Sequence, residues 1–141
     1  MILIIDTNIL ISALIRDSIT RKIIVESGWK LCYPENSFHE VRKYKSLILE
    51  KSGMIEQEYI KLLNCLLKHI TIIPEEIIYP NLEEASKWLG NIDPNDVIFL
   101  ATALSLENSK IWSDDNHFGK QNKVRVFKTQ HMIKLFFLSN S

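Results

Sequence analysis

Ile2-Leu3-Ile4-Ile5-Asp6 is a run of four aliphatic residues ending in an acid, and Asn8-Ile9-Leu10-Ile11-Ser12-Ala13-Leu14-Ile15 follows it almost directly. The first run is too short for a helix and reads as a strand buried on both faces, while the second has helical potential. Working outward, the same alternation continues. Thr20 is expected to cap a helix over 21–27 that stops at Gly28, and residues 29–33 form a second strand stopped by Pro34. Ser37 opens one long amphipathic helix to about Lys51, and Gly53 breaks it. A further amphipathic helix covers 55–69, a third strand 70–74, and helices 82–90 and 93–108. Residues 110–113 and 124–127 read as the fourth and fifth strands, and 129–138 as a C-terminal helix. Strands separated by helices predict an α/β fold, a three-layer α/β/α arrangement around a mostly parallel sheet of four to five strands. No repeat, low-complexity tract or linker interrupts it, which predicts one domain over residues 1–141.

The composition excludes several function classes. With 46% apolar residues the chain can build a sizeable core, and its net charge of zero leaves no general basic coat for nucleic acid. An RNA partner would have to be held by local basic patches and metal. Arg42, Lys43 and Lys45 are candidates, although a solvated helix face is the plainer reading. Cys32 and Cys65 lack metal or redox spacing and read as reduced thiols. His39, His69, His117 and His131 form no H-E-x-x-H pattern, and no Gly-rich phosphate loop is present. Met1 leads straight into a strand with no basic leader, and no apolar run reaches membrane length; a cytoplasmic protein without membrane contact is expected.

The carboxylates are the informative feature. Asp6 ends the first strand, Asp114 and Asp115 follow the fourth, and Asp93 and Asp96 open a helix. Ligands of open α/β sheets bind at the carboxyl ends of the strands, so topology directs these acids toward one rim. Each also suits a simpler role: Asp6 and Asp93 as helix caps, Ser37–Glu40 as an S-x-x-E capping box, Asp114 and Asp115 as turn formers. Together they are costly. At roughly 5 Å and an effective dielectric of about 20, each like-charged pair costs about 3 kcal/mol, to be relieved by protonation or a divalent cation. An all-oxygen donor set selects a hard cation such as Mg²⁺ or Mn²⁺.

Four segments carry a family resemblance: IIDTNIL at 4–10, S-x-x-E at 37–40, DPNDVIFLATAL at 93–104 and WSDDNHF at 112–118. Over essentially the whole chain they resemble the PIN domain, in particular the single-domain, VapC-like toxin ribonucleases. The resemblance implies a Mg²⁺- or Mn²⁺-dependent endoribonuclease, an antitoxin partner and a homodimer. It implies Asp6, Glu40, Asp96 and Asp115 as catalytic metal ligands, with Asp93 and Asp114 as auxiliaries. Thr7 resembles the hydroxyl beside the site, Asn8 the buried amide tying its loops together, and Ser113 leads into the S-x-D motif. His117 stands where many relatives carry an acid, which removes a fifth carboxylate; the Asp114-Asp115 pair leaves open which of the two faces the metal. The alternatives are a catalytically silent PIN-like module that binds RNA or protein, and a housekeeping RNA-processing nuclease. A phosphoaspartate hydrolase also opens on strand-then-Asp, but needs an acid where Asn8 stands.

Overall fold

The computed structural model describes residues 1–90 and 93–139. Five strands form its sheet: β1 (Ile2–Ile5), β2 (Lys30–Pro34), β3 (Ile70–Ile73), β4 (Ser109–Trp112) and β5 (Val126–Phe127). Their order is β3-β2-β1-β4-β5 and every pairing is parallel, so the sheet is wholly rather than mostly parallel. Leu3, Ile4, Ile5, Cys32, Tyr33, Ile111 and Trp112 are fully buried, as strands covered on both faces require.

Helices α1 (Thr7–Ile15) and α2 (Ile19–Glu26) join β1 to β2, and α3 (Phe38–Lys43), α4 (Lys45–Ser52) and α5 (Glu56–Leu67) join β2 to β3. Helices α6 (Glu75–Ile78), α7 (Leu82–Leu89) and α8 (Pro94–Leu104) carry the chain back across the sheet to β4, and α9 (Thr129–Ser139) follows β5. α1 packs against α2, α4 and α5, whereas α8 packs against α7, β1, β2 and β4. The chain builds outward from β1 to β2 and β3, then returns to place β4 on β1's other side. The reversal point of the strand order thus lies between the carboxyl ends of β1 and β4, where α/β sheets open a crevice.

Local expectations fail where side-chain chemistry outweighs periodicity. Thr20 is not a cap: it is buried, and Ser18 caps α2 by accepting the Arg21 amide at 3.4 Å. The expected single helix over 37–51 breaks at Tyr44 (φ −95°, ψ 7°) into α3 and α4. Gly53 ends α4 in the left-handed region (φ 73°), as a glycine there can without strain. The helix from Asp93 stops at Leu104, short of residue 108, and the fifth strand keeps only two of its four expected residues.

Candidate functional site

The carboxyl ends of β1 and β4 are joined by a short polar ladder. The Asp6 amide donates to the Trp112 carbonyl at 3.3 Å, extending the strand pairing by one step. One residue further on, the fully buried Ser113 hydroxyl donates to Asp6 Oδ2 and accepts the Asp115 amide at 3.0 Å. The other Asp6 oxygen accepts the Ile9 amide at 3.0 Å. Asp6 therefore caps α1 and also faces the crevice. The two readings of this residue are not exclusive: capping spends Oδ1, and Oδ2 is held by Ser113.

Four acids line one small cleft together with Thr7, Asn8 and Phe99: Asp6, Glu40, Asp96 and Asp115. They come from the end of β1, from α3, from the first turn of α8 and from the turn after β4. Glu40 makes no capping box, because the Ser37 side chain forms no cap bond. Its Oε1 instead accepts the Thr7 hydroxyl at 3.2 Å. Thr7 Oγ1 is also 2.7 Å from the Tyr33 hydroxyl, which donates to the Ser37 carbonyl at 2.9 Å. These three contacts need three protons, and two hydroxyls supply two. The set is complete when Glu40 is protonated and donates to Thr7, and one proton short when Glu40 is ionised.

Burial pushes three carboxylates of the cleft the same way. Burial drives Asp6 from 3.8 to about 6, against the opposing hydrogen bonds from Ser113 and Ile9 and with a further push from Asp115 and Asp114. Glu40 and Asp96 are also raised, first by burial and then by neighbouring acids; the Thr7 bond opposes this at Glu40, and the His117 bond at Asp96. Three of the four carboxylates are thus held toward their neutral forms, first by their desolvated setting and then by neighbouring acids.

The remaining sequence-derived residues divide. Asp93 caps α8 by accepting the Asn95 amide at 2.9 Å and does not line the cleft. Asp114 is turned to α9, where its two oxygens accept the Thr129 amide at 2.8 Å and the Thr129 hydroxyl at 2.7 Å. Asp115, not Asp114, lines the cleft. The expectation of a buried Asn8 is corrected: Asn8 is exposed at the cleft rim, because its position on α1 faces away from the core side held by Ile9 and Leu10. Lys45, a candidate phosphate contact, is instead ion-paired with Glu56.

His117 is the residue that sequence reading undervalued. Its Nδ1 is 2.9 Å from Asp96 Oδ2 and 3.3 Å from Asp115 Oδ1. Asp96, Asp115 and His117 each offer a ligand atom within 4.8 Å of the others, a set with metal-ligating capacity. The signal available was its position two residues after Asp115, which places it on the same turn. Tyr33 gave no signal at all, since in an apolar strand it reads as core.

A wholly parallel α/β sheet with four acids gathered at its switch point defines a class of protein: an open-sheet domain with a carboxylate-lined cleft. The sequence profile of the PIN domain matches residues 4–133, and the chain belongs to that family. Among solved structures, the crystal structure of VapBC2 from Rickettsia felis bound to a DNA fragment from their promoter aligns with a TM-score of 0.68 at 18% identity. That alignment covers 91% of this chain and 98% of that one, and supports the fold. No curated protein matches the sequence. Among the described residues no helix is long and apolar enough to cross a membrane.

Proposed function

We propose that residues 1–141 form one PIN-like nuclease domain, a divalent-metal-dependent endoribonuclease that hydrolyses RNA phosphodiester bonds. The observation that carries this reading is the gathering of Asp6, Glu40, Asp96 and Asp115 in one cleft from four separate parts of the chain. The donor set fits a hard cation, since carboxylate oxygens dominate it and three of the acids are raised in the absence of a positive charge. Asp6, Asp96, Glu40 and Asp115 would hold Mg²⁺ or Mn²⁺, with His117 beside Asp96 and Asp115. A bound divalent cation supplies a water of lowered pKa and positive charge for the phosphate oxygens.

The chain's own groups set the geometry. Ser113 and the Ile9 amide fix both oxygens of Asp6. Thr7 directs Glu40 into the cleft, and the start of α8 presents Asp96. Among the described residues no serine, cysteine or lysine lines the cleft, and on this reading the nucleophile would be a water held by the cation. Asp93 and Asp114 act in support, as caps of α8 and α9. Likeness to a VapBC2 structure supports an antitoxin partner, and the reading extends to a toxin of a toxin–antitoxin pair that acts in the cytoplasm as a homodimer.

The test is calorimetric titration with Mn²⁺ alongside cleavage of a labelled RNA. The wild type should bind the ion and cut, and Asp6→Asn should stay folded and cut at least about 10²-fold more slowly, as loss of a ligand that holds a catalytic metal does. Near-parental cutting by Asp6→Asn would sink the mechanism; an absence of Mn²⁺ binding at millimolar concentration would sink the metal assignment.

A further inference from the structure

We infer that the groove along α1 from Asn8 to Arg16 holds the sugar-phosphate backbone of a single RNA strand, with Arg16 and Lys51 binding a phosphate other than the one cut. This rests on the nuclease reading above and extends it to the strand beyond the acids. α1 starts at the acidic cleft, with Asp6 as its cap. Its inner face, Ile9, Leu10, Ala13 and Leu14, is buried. Asn8, Ser12 and Ile15, on one helical stripe beside the buried Ile11, line an open groove with Arg16, which follows the last turn of α1, and with Lys51 of α4. Asn8 lines both this groove and the acidic cleft, so the two are adjacent at the start of α1.

Charge decides the occupant. A polyanion entering a cleft lined by four carboxylates is repelled, and a chain of zero net charge offers no general field to offset that. Cations at the end of a track leading out of the cleft do offset it locally. Neither Arg16 nor Lys51 forms an ion pair among the described residues, whereas Lys45 is held by Glu56 and Arg21 Nε by the Ala13 carbonyl at 2.8 Å. Asn8 and Ser12 add polar groups between the cations and the acids. With a rise of about 1.5 Å per residue, Arg16 stands roughly 14 Å from Thr7 along the helix, which separates the cation end from the cleft by more than one phosphate. Single strands are tracked by grooves of this kind, with cations set at intervals along the backbone.

The probe is a fluorescent single-stranded RNA, with binding read by anisotropy in EDTA across a salt series. The double variant Arg16→Gln/Lys51→Gln should bind about tenfold more weakly. Its log affinity against log salt should be shallower by about 1.4, since each phosphate on a single strand contributes about 0.7. With Mn²⁺ present, its KM for the long RNA should rise while kcat holds, and a short oligonucleotide that does not reach Arg16 should be cut as by the wild type. Arg16→Lys/Lys51→Arg should restore the salt slope, and equal melting temperatures exclude a folding defect at these exposed positions. Unchanged affinity and salt slope in the glutamine variant, with cutting intact, would overturn the track and leave the nuclease reading standing. A wild type that neither binds nor cuts single-stranded RNA would overturn both.

Discussion

A buried acid is a liability unless something gains from its charge. Asp6 is 6% exposed, and its carboxyl is raised from 3.8 to about 6. Because the native state holds this proton more tightly than the unfolded chain, its contribution favours folding fully below pH 3.8 and is lost as pH rises through 6. The loss amounts to about 3 kcal/mol by pH 7.5. Urea unfolding of the metal-free protein should therefore show the wild type falling relative to Asp6→Asn by about 2 kcal/mol between pH 4 and pH 7.5; parallel profiles would contradict the burial argument. Tyr33→Phe is a second probe. It strips the buried Ser37 carbonyl of its donor and frees Thr7 from its 2.7 Å contact. A loss of about 1–3 kcal/mol in stability is expected, with kcat lowered and KM for RNA unchanged, since Tyr33 acts on Glu40 only through Thr7. Asp6 was legible because an acid closing an aliphatic run is conspicuous. The Thr7–Tyr33–Ser37 chain was not, because its members are 26 and 4 residues apart and each has an ordinary local role.

Among the elements, the ends of helices separate look-alike acids. Asp114 and Asp115 are adjacent in sequence, yet one satisfies the first amide of α9 and the other lines the cleft. Asp114→Ala should cost about 1 kcal/mol, the usual worth of a cap, and leave cutting near the wild-type rate. Asp115→Asn should do the reverse, retaining stability and losing cleavage. Identical kinetics for the two variants would refute the division. Helix boundaries were legible where a strong signal stood alone, as at Pro94 and Gly53. At α3 the start after Ser37 was legible although no capping box forms, Glu40 being drawn instead to Thr7, whereas the break at Tyr44 had no sequence signal. An S-x-x-E motif can be written for a helix start and used by a partner thirty-three residues away.

At the scale of the whole molecule, the sheet was the most legible part, because doubly buried strands must be continuous aliphatic runs. The order β3-β2-β1-β4-β5 was not readable from local pattern, but it is what brings β1 and β4 together and makes the four acids neighbours. On the proposed reading the gathering ties stability to metal. Mn²⁺ at about a hundred times its dissociation constant should stabilise the fold by about 2.7 kcal/mol, on the order of 10 °C in Tm. The gain should shrink as pH falls through 6, where protons and metal compete for Asp6; a metal-induced Tm shift independent of pH would count against ligation by these acids. The placing of β1 has a consequence in time. Asp6 emerges first from the ribosome, but the hydroxyl that holds it lies 107 residues later in the chain. Domains of this size fold as units during synthesis. A nascent chain carrying β1, β2 and β3 therefore holds an unsupported Asp6, without Asp96 or Asp115 beside it. On the proposed reading an enzyme that cuts RNA is made by a machine built of RNA, and this connectivity keeps the cleft incomplete until β4 and Ser113 have emerged.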